Sequence, residues 1–312
     1  MINIFVVILN WNRKRDTLEC LESLSKTKIS NFKLTLLVVD NGSSDDSRIV
    51  IKKYLKKLSF ESKNINGLLL KNTTNLGFAA GNNVGLSYAM AKRADFVVVI
   101  NNDTLVAEDI FEKFLTFEKN HPNVGIFSPK IFFAPGYEFH KKRYKESDIG
   151  KVIWYAGGKI DWDNIYGKNI GVDKVDSGQF DKACEIDFAT GACMIIRCSA
   201  LSDVGLFDEN YFMYLEDTDL SMRFRRKNWK IFFVPSMKIW HKVAQSSGIG
   251  SDLNDYFITR NRLLFGSRYA TFRTRSALFR ESIRFVVRGR KWQRKGVVDY
   301  YLGKFDRGSW VS

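Results

Sequence analysis

A chain of 312 residues, 45% hydrophobic and 27% charged, is long enough for one large domain or two modest ones with a self-sufficient core. Its four prolines and balanced makeup exclude a disordered, collagen-like or low-complexity polypeptide. Forty-nine Lys and Arg against 34 Asp and Glu give a net charge of +15, which points to a polyanionic neighbour: nucleic acid, an acidic membrane surface or a phosphorylated substrate. The excess is uneven, because residues 251–312 alone carry fourteen Lys and Arg against five Asp and Glu. The longest apolar runs, such as residues 96–100, fall far short of the roughly 20 residues that span a bilayer. The first residues lack the basic start of a signal peptide, so the expected location is the cytoplasm. Cysteines at 20, 184, 193 and 198 form no Cys-x-x-Cys pair and read as free thiols.

Residues 4–9 read as a buried strand, residues 17–25 as a helix with Leu18, Leu21 and Leu24 on one stripe, and residues 34–39 as the next strand. The turn Asn41-Gly42-Ser43-Ser44-Asp45-Asp46 supplies an N-cap for a helix carrying Ile49, Val50, Tyr54 and Leu58. A third strand at 68–70, a helix from Gly77 to about Ala91 and a fourth strand at 96–100 complete the alternation. This is the α/β pattern of a parallel sheet covered by helices. Such sheets bind ligands beyond the carboxyl ends of their strands, where the polar clusters at 10–12, 40–46, 72–77 and 101–103 all fall. Each cluster alone is ordinary turn chemistry; four together can form one polar pocket.

From about 130 to 180 the pattern gives way to Gly, Lys, Asp and aromatic residues, read as an irregular insertion with short strands. Residues 186–197 read as two strand segments around Gly191, Leu215-Glu216-Asp217-Thr218-Asp219 as an acidic helix start, and residues 231–234 as a final strand. A composition shift after Gly250 marks a boundary between residues 1–250 and a tail at 251–312. In the tail, Arg280, Arg284, Arg288, Lys291 and Lys295 share one helical face beside Phe279, Ile283, Val286 and Val287. A basic amphipathic helix of this kind suits the anionic surface of the cytoplasmic membrane face, the favoured reading, with a cap packed on the preceding domain as the alternative.

In chain order, Asn10-Trp11-Asn12, Asp40-Asn41-Gly42-Ser43, Asn75-Leu76-Gly77-Phe78, Asn101-Asn102-Asp103, Gly191-Ala192-Cys193-Met194, Gly205-Leu206-Phe207-Asp208-Glu209, Glu216-Asp217 and Trp240-His241 resemble the successive motifs of glycosyltransferase family 2. The resemblance spans about residues 3–245 and is closest to rhamnosyltransferase-like members. It implies a GT-A fold, a mixed, mostly parallel sheet flanked by helices, with a nucleotide-binding half at about 1–105 and an acceptor half at 106–250. It also implies inverting transfer of a sugar from a nucleotide-sugar donor to a glycan or lipid-linked acceptor in cell-surface polysaccharide synthesis. L-Rhamnose from dTDP-rhamnose is the leading expectation, with UDP-hexose and UDP-galactofuranose as alternatives.

The resemblance also assigns residues. Asp40 would accept from the ring N–H of uracil or thymine, with Asn10, Asn75, Gly77, Phe78 and Asn102 as further nucleotide-binding residues. Asp103 would hold Mg²⁺ or Mn²⁺ at the diphosphate, and His241 would complete those contacts. The family's usual Asp-x-Asp stands here as Asn101-Asn102-Asp103, which removes one charge from the metal site. Asp217 would be the general base, with Glu216 beside it and Asp219 as a further candidate. Read without the resemblance, acids at a helix start stabilise its dipole, and Asp40 closes an Asx-turn. Two other classes compete: a nucleic-acid-binding protein, prompted by the charge but lacking any DNA- or RNA-reading motif, and a non-catalytic sugar-nucleotide binder, prompted by Asn101.

Overall fold

The computed structural model describes residues 1–243 and 250–311. Its first half follows the alternation of Val/Ile/Leu runs with amphipathic segments: β1 (Ile2–Asn10), α1 (Lys14–Ser25), β2 (Phe32–Asp40), α2 (Ser47–Glu61), β3 (Ile65–Lys71), α3 (Gly77–Ala91) and β4 (Phe96–Asn101). Helices cover both faces of this sheet, so β1, β2 and β4 are near-continuous apolar runs whose side chains are almost all buried. β1 pairs in parallel with both β2 and β4, and β2 with β3. The order β3-β2-β1-β4 therefore reverses direction at β1, and a crevice opens at the carboxyl ends of β1 and β4.

The second half adds β5 (Thr104–Val106), α4 (Ile110–Glu118), β6 (Val124–Phe133), β7 (Ile153–Tyr155), β8 (Gly158–Asp161), β9 (Tyr166–Asn169), β10 (Cys184–Glu185), β11 (Cys193–Arg197), α5 (Cys198–Val204), α6 (Glu216–Arg226) and β12 (Lys230–His241). β11 runs antiparallel between β4 and β6, while β12 lies parallel to β6. The longest ladders are parallel, so the sheet is mixed but mostly parallel. The final strand runs well beyond 231–234: a register shift between Val234 and Lys238 lets β12 continue and deliver His241 to the end of β5.

Two local readings are corrected. Residues 186–190 form no strand, and only β11 follows Gly191, because Ala189 N–H bonds Ser221 Oγ at 3.2 Å and Gly191 N–H turns to Asp217 instead of a neighbouring strand. The residue at the N-cap position of α2 is Asp46, whose side chain makes no cap bond; Asp45 Oδ1 accepts from Ser47 N–H at 3.1 Å.

Three helices follow: α7 (Asp252–Tyr269), α8 (Phe272–Arg288) and α9 (Lys291–Tyr301). The boundary expected after Gly250 adjoins residues 244–249, which lie outside the described residues, as does Ser312 at the end of the tail. α7 is sunk into the molecule, with Tyr256, Phe257, Arg260 and Asn261 fully buried. α9 packs along it through Gly296, Val297 and Asp299. α8 turns Thr274, Leu278 and Ser282 inward.

Candidate active site

At the carboxyl ends of β1 and β4 lies a cavity of about 310 Å³, within the range of small-ligand sites. Asn75, Gly77 and Phe78 form one wall and Asn101, Asn102 and Asp103 another. Phe212, Met213, Arg307 and Trp310 close it from the far side. Asn10 and Asp40 stand behind the first wall with no exposed surface.

The loops are tied by a polar lattice. Asn10 Nδ2 donates to Asp40 Oδ2 at 3.0 Å, Thr17 Oγ1 donates to Asn10 Oδ1 at 2.8 Å, and Asn102 Nδ2 donates to Thr17 Oγ1 at 3.0 Å. Asp40 Oδ1 also accepts from Arg48 Nε at 2.6 Å and from Ser43 N–H at 3.1 Å, closing a turn at Asn41-Gly42. Burial pushes the Asp40 carboxyl up, but the donors from Ser43, Arg48 and Asn10 outweigh it and leave it below the usual range. Asn41 organises the next loop, donating to Asn75 Oδ1 at 2.9 Å and Gly77 O at 3.0 Å. Gly77 has φ +78°, and a Cβ there would lie 2.4 Å from the Phe212 ring, so only glycine fits.

The far wall is strained. Phe212, Tyr214 and Leu215 all have φ between +61° and +70°, a conformation costing about 1–3 kcal/mol for each such residue and kept only where surroundings impose it. Here α7 imposes it. Asn261 Nδ2 reaches the carbonyls of Tyr211, Met213 and Tyr214 at 2.8–2.9 Å, and Arg260 Nη2 reaches those of Asn210 and Tyr211 at 3.1 and 3.0 Å. In turn, Phe212 O accepts from the N–H groups of Phe78 and Ala79 at 2.6 and 3.1 Å, capping α3.

Two pairs of titratable groups stand at the expected site positions. Asp217 is partly exposed at the start of α6; its Oδ2 accepts from Gly191 N–H at 2.8 Å and its Oδ1 from Thr218 N–H at 2.6 Å. Burial raises its pKa, and the bonds from Gly191 and Thr218 only partly oppose this. Glu216 is buried with Oε2 unpartnered, and burial together with the Asp217 charge pushes its carboxyl well above the usual range. Asp219 differs from both: fully buried, it accepts from Tyr211, Tyr269, Arg223 and Arg268 at 2.8–3.1 Å and ties α6 to α7.

Across the crevice, His241 Nε2 contacts Asp103 Oδ1 at 3.0 Å without the alignment of a hydrogen bond. Burial opposes ionisation of Asp103, but the attraction of His241, aided by Lys242, holds its carboxyl below the ordinary value. Asp103 Oδ1 and His241 Nδ1 are both buried without a hydrogen-bond partner. A buried carboxylate oxygen with unused lone pairs beside the His241 ring fits a divalent cation that takes its other ligands from phosphate and water. Among the described residues no three His, Cys, Asp or Glu converge, so the protein's share of such a site is small.

The two pairs are linked through one backbone turn. Asn101 N–H donates to Ala192 O at 3.0 Å, one residue from the Gly191 N–H that holds Asp217. A Cβ on Gly191 would meet the Phe78 ring at 2.9 Å and Asp217 Oδ2 at 3.7 Å. The structure thus gathers Asn75, Gly77, Phe78, Asn102 and Asp103 on the cavity wall, His241 beneath Asp103, and Asp217 beside Phe78. Sequence reasoning passed over Arg13, Met213, Arg307 and Trp310 as site residues. The last two lie far beyond the final motif, with nothing local to mark them.

The sequence profile described as "Glycosyltransferase like family 2" matches residues 3–266. The chain belongs to this family. Its relatives include the N-acetylglucosaminyl-diphospho-decaprenol L-rhamnosyltransferase of Mycobacterium tuberculosis, 27% identical over 69% of this chain and 68% of that protein. Another is the rhamnosyltransferase WbbL of Escherichia coli, 22% identical over 66% of this chain and 82% of that protein. Among solved structures, Staphylococcus aureus TarS with UDP-GlcNAc superposes with a TM-score of 0.56 at 13% identity, over 96% of this chain and 79% of the other. GalNAc-T7 with UDP, GalNAc and Mn²⁺ gives 0.59 at 14% identity over 77% of this chain; the match spans 44% of that protein's length. These likenesses fix the fold as GT-A.

Proposed function

We propose that this family 2 glycosyltransferase is an inverting enzyme of cell-surface glycan synthesis, moving a sugar from a nucleotide-sugar donor to a glycan or lipid-linked acceptor. dTDP-rhamnose is the leading donor, in line with the rhamnosyltransferase relatives. UDP-hexoses and UDP-galactofuranose are the alternatives, TarS having been solved with UDP-GlcNAc. The observation that supports the reading is the pair of backbone bonds at Gly191 and Ala192, which link Asp217, with its raised pKa, to the Asn101–Asp103 segment that lines the cavity, where the Asp103 carboxyl is lowered.

In this reading Asp217 takes the proton of the acceptor hydroxyl as that oxygen attacks the anomeric carbon. The bond from that carbon to the diphosphate oxygen breaks on the opposite face, which inverts the configuration with no covalent enzyme intermediate. Glu216 stands beside Asp217, its carboxyl pushed well above the usual range by burial and by the charge of that neighbour. Asn10, Asp40, Asn75, Gly77, Phe78 and Asn102 shape the nucleotide side. A Mg²⁺ or Mn²⁺ ion held by Asp103 and His241 supplies neutralisation of the diphosphate charge when bound.

The test is to present nucleotide sugars with Mg²⁺ or Mn²⁺ and candidate acceptors, and to record nucleoside diphosphate release and product configuration. Release from one donor with inversion is expected. Absence of release from every donor, or retention at the anomeric carbon, overturns the reading.

The same reading puts the protein at an anionic membrane surface. α8 leaves Phe272, Phe279, Ile283, Val286 and Val287 exposed beside Arg280, Arg284 and Arg288. No helix among the described residues is long and apolar enough to cross a membrane, whereas this mixed face suits the headgroup region. Co-sedimentation with phosphatidylglycerol vesicles should be lost in a Phe279→Asp, Ile283→Asp double variant; undiminished pelleting refutes it.

A further inference from the structure

We infer that the C-terminal strap, residues 302–311, is part of the donor site, with Arg307 binding the diphosphate from the side opposite Asp103 and Trp310 closing the cavity. The inference rests on the proposed transferase reading and extends it to residues beyond the family match, which ends at 266.

The first argument concerns charge. A diphosphate needs cationic partners, and this site has few of the usual ones. Asn101 replaces one acid of the metal-binding motif, leaving Asp103 as the sole carboxylate on the cavity wall among the described residues. The exposed N–H groups at a helix start are another common phosphate partner, but the α3 N-terminus is used: Phe212 O takes the N–H groups of Phe78 and Ala79. The cations that do line the cavity are Arg13, from the loop after β1, and Arg307. A guanidinium is suited to paired phosphate oxygens because its N–H groups form a planar fork.

The second argument is that the strap is built and held. Asp299, fully buried on α9, accepts from Ser309 N–H at 2.8 Å and from Ser309 Oγ at 3.0 Å. Arg260 Nη1 donates to Asp306 O at 2.6 Å, and Asp306 N–H donates to Asn210 O at 2.9 Å, fastening the strap to the strained wall. Gly308 has φ +54° and lies so close to Tyr256 that a Cβ would fall 2.1 Å from the phenol oxygen. Trp310 is wedged against Trp292 at 4.6 Å between ring centroids, with Tyr256 and Phe257 at 6.0 and 5.9 Å. Phe257 stacks on Phe212 at 5.0 Å and 12°. The indole is therefore oriented by packing before any ligand arrives, and Arg307 Nε is braced on Trp310 O at 3.3 Å.

The experiment is calorimetric titration of the full chain with UDP, dTDP and their monophosphates in Mg²⁺. Arg307→Gln should weaken the diphosphate that wild type binds by about tenfold or more and its monophosphate by less than twofold, with an unchanged melting temperature. Arg307→Lys, which keeps the charge, should fall between. Wild-type tryptophan emission should change on adding that diphosphate, and the change should shrink in Trp310→Phe, a readout that survives if Arg307→Gln is poorly folded. Wild-type affinity in the Arg307 variants, together with an unaltered emission response in Trp310→Phe, would overturn the strap's role while leaving the transferase reading intact. Failure of wild type to bind either diphosphate would overturn both.

Discussion

Two acidic centres flank the Gly191–Ala192 turn, and they are built in opposite ways. At Asp103 a buried carboxylate lies against His241 and near Lys242, so it stays ionised below the usual range. At Asp217 a carboxylate meets only backbone N–H groups and a threonine, with another acid next to it, and its pKa rises. Pairs of acids whose surroundings push them apart take different chemical roles: an anion fixed for electrostatics, and one poised to receive a proton. The difference comes from neighbours, since the side chains are identical.

The most severe way to break this contrast is Asp217→Asn. It should lower the transfer rate by about 10²–10⁴-fold, the usual worth of a general base, while calorimetry shows donor affinity within twofold of wild type; a parallel loss of affinity would merge the two centres into one. Asp103→Asn should do the reverse, reducing Mn²⁺-supported donor affinity by roughly 10–100-fold, the scale seen when a metal-site partner is lost. An unchanged dissociation constant in Mn²⁺ would remove Asp103 from that role.

The gentlest probe is pH. In the proposed role Asp217 works unprotonated and its pKa is raised, so turnover should fall as pH drops through a value above the ordinary aspartate one, by about tenfold per unit below it. Asp103 is shifted the other way and remains an anion there, so donor binding should persist on the acid side of the rate limb. Coincident limbs for rate and binding would contradict the assignment.

Much of the α/β frame was legible because β1, β2 and β4 are buried on both faces and their turns carry Asn and Asp at the strand ends. β6 was not, although all ten of its residues are buried. Ser128, Pro129 and Lys130 interrupt its apolar run, and Lys130 is tolerated inside only because Asp176 and Asp181 meet it at 2.8 and 2.6 Å from the distant insertion. The site shows the same limit. Asn10, Asn75 and Asp103 stand at strand ends where periodicity points, whereas Arg307 and Trp310 reach the cavity through α7 and α9, by contacts no local pattern records.

The wall formed by residues 210–215 takes its shape from Arg260 and Asn261, roughly fifty positions later in the chain. As the protein emerges from a ribosome, the sheet can pair and bury its strands while that loop still lacks the side chains that bend it. The bonds that hold the wall are then completed only after α7 has been made.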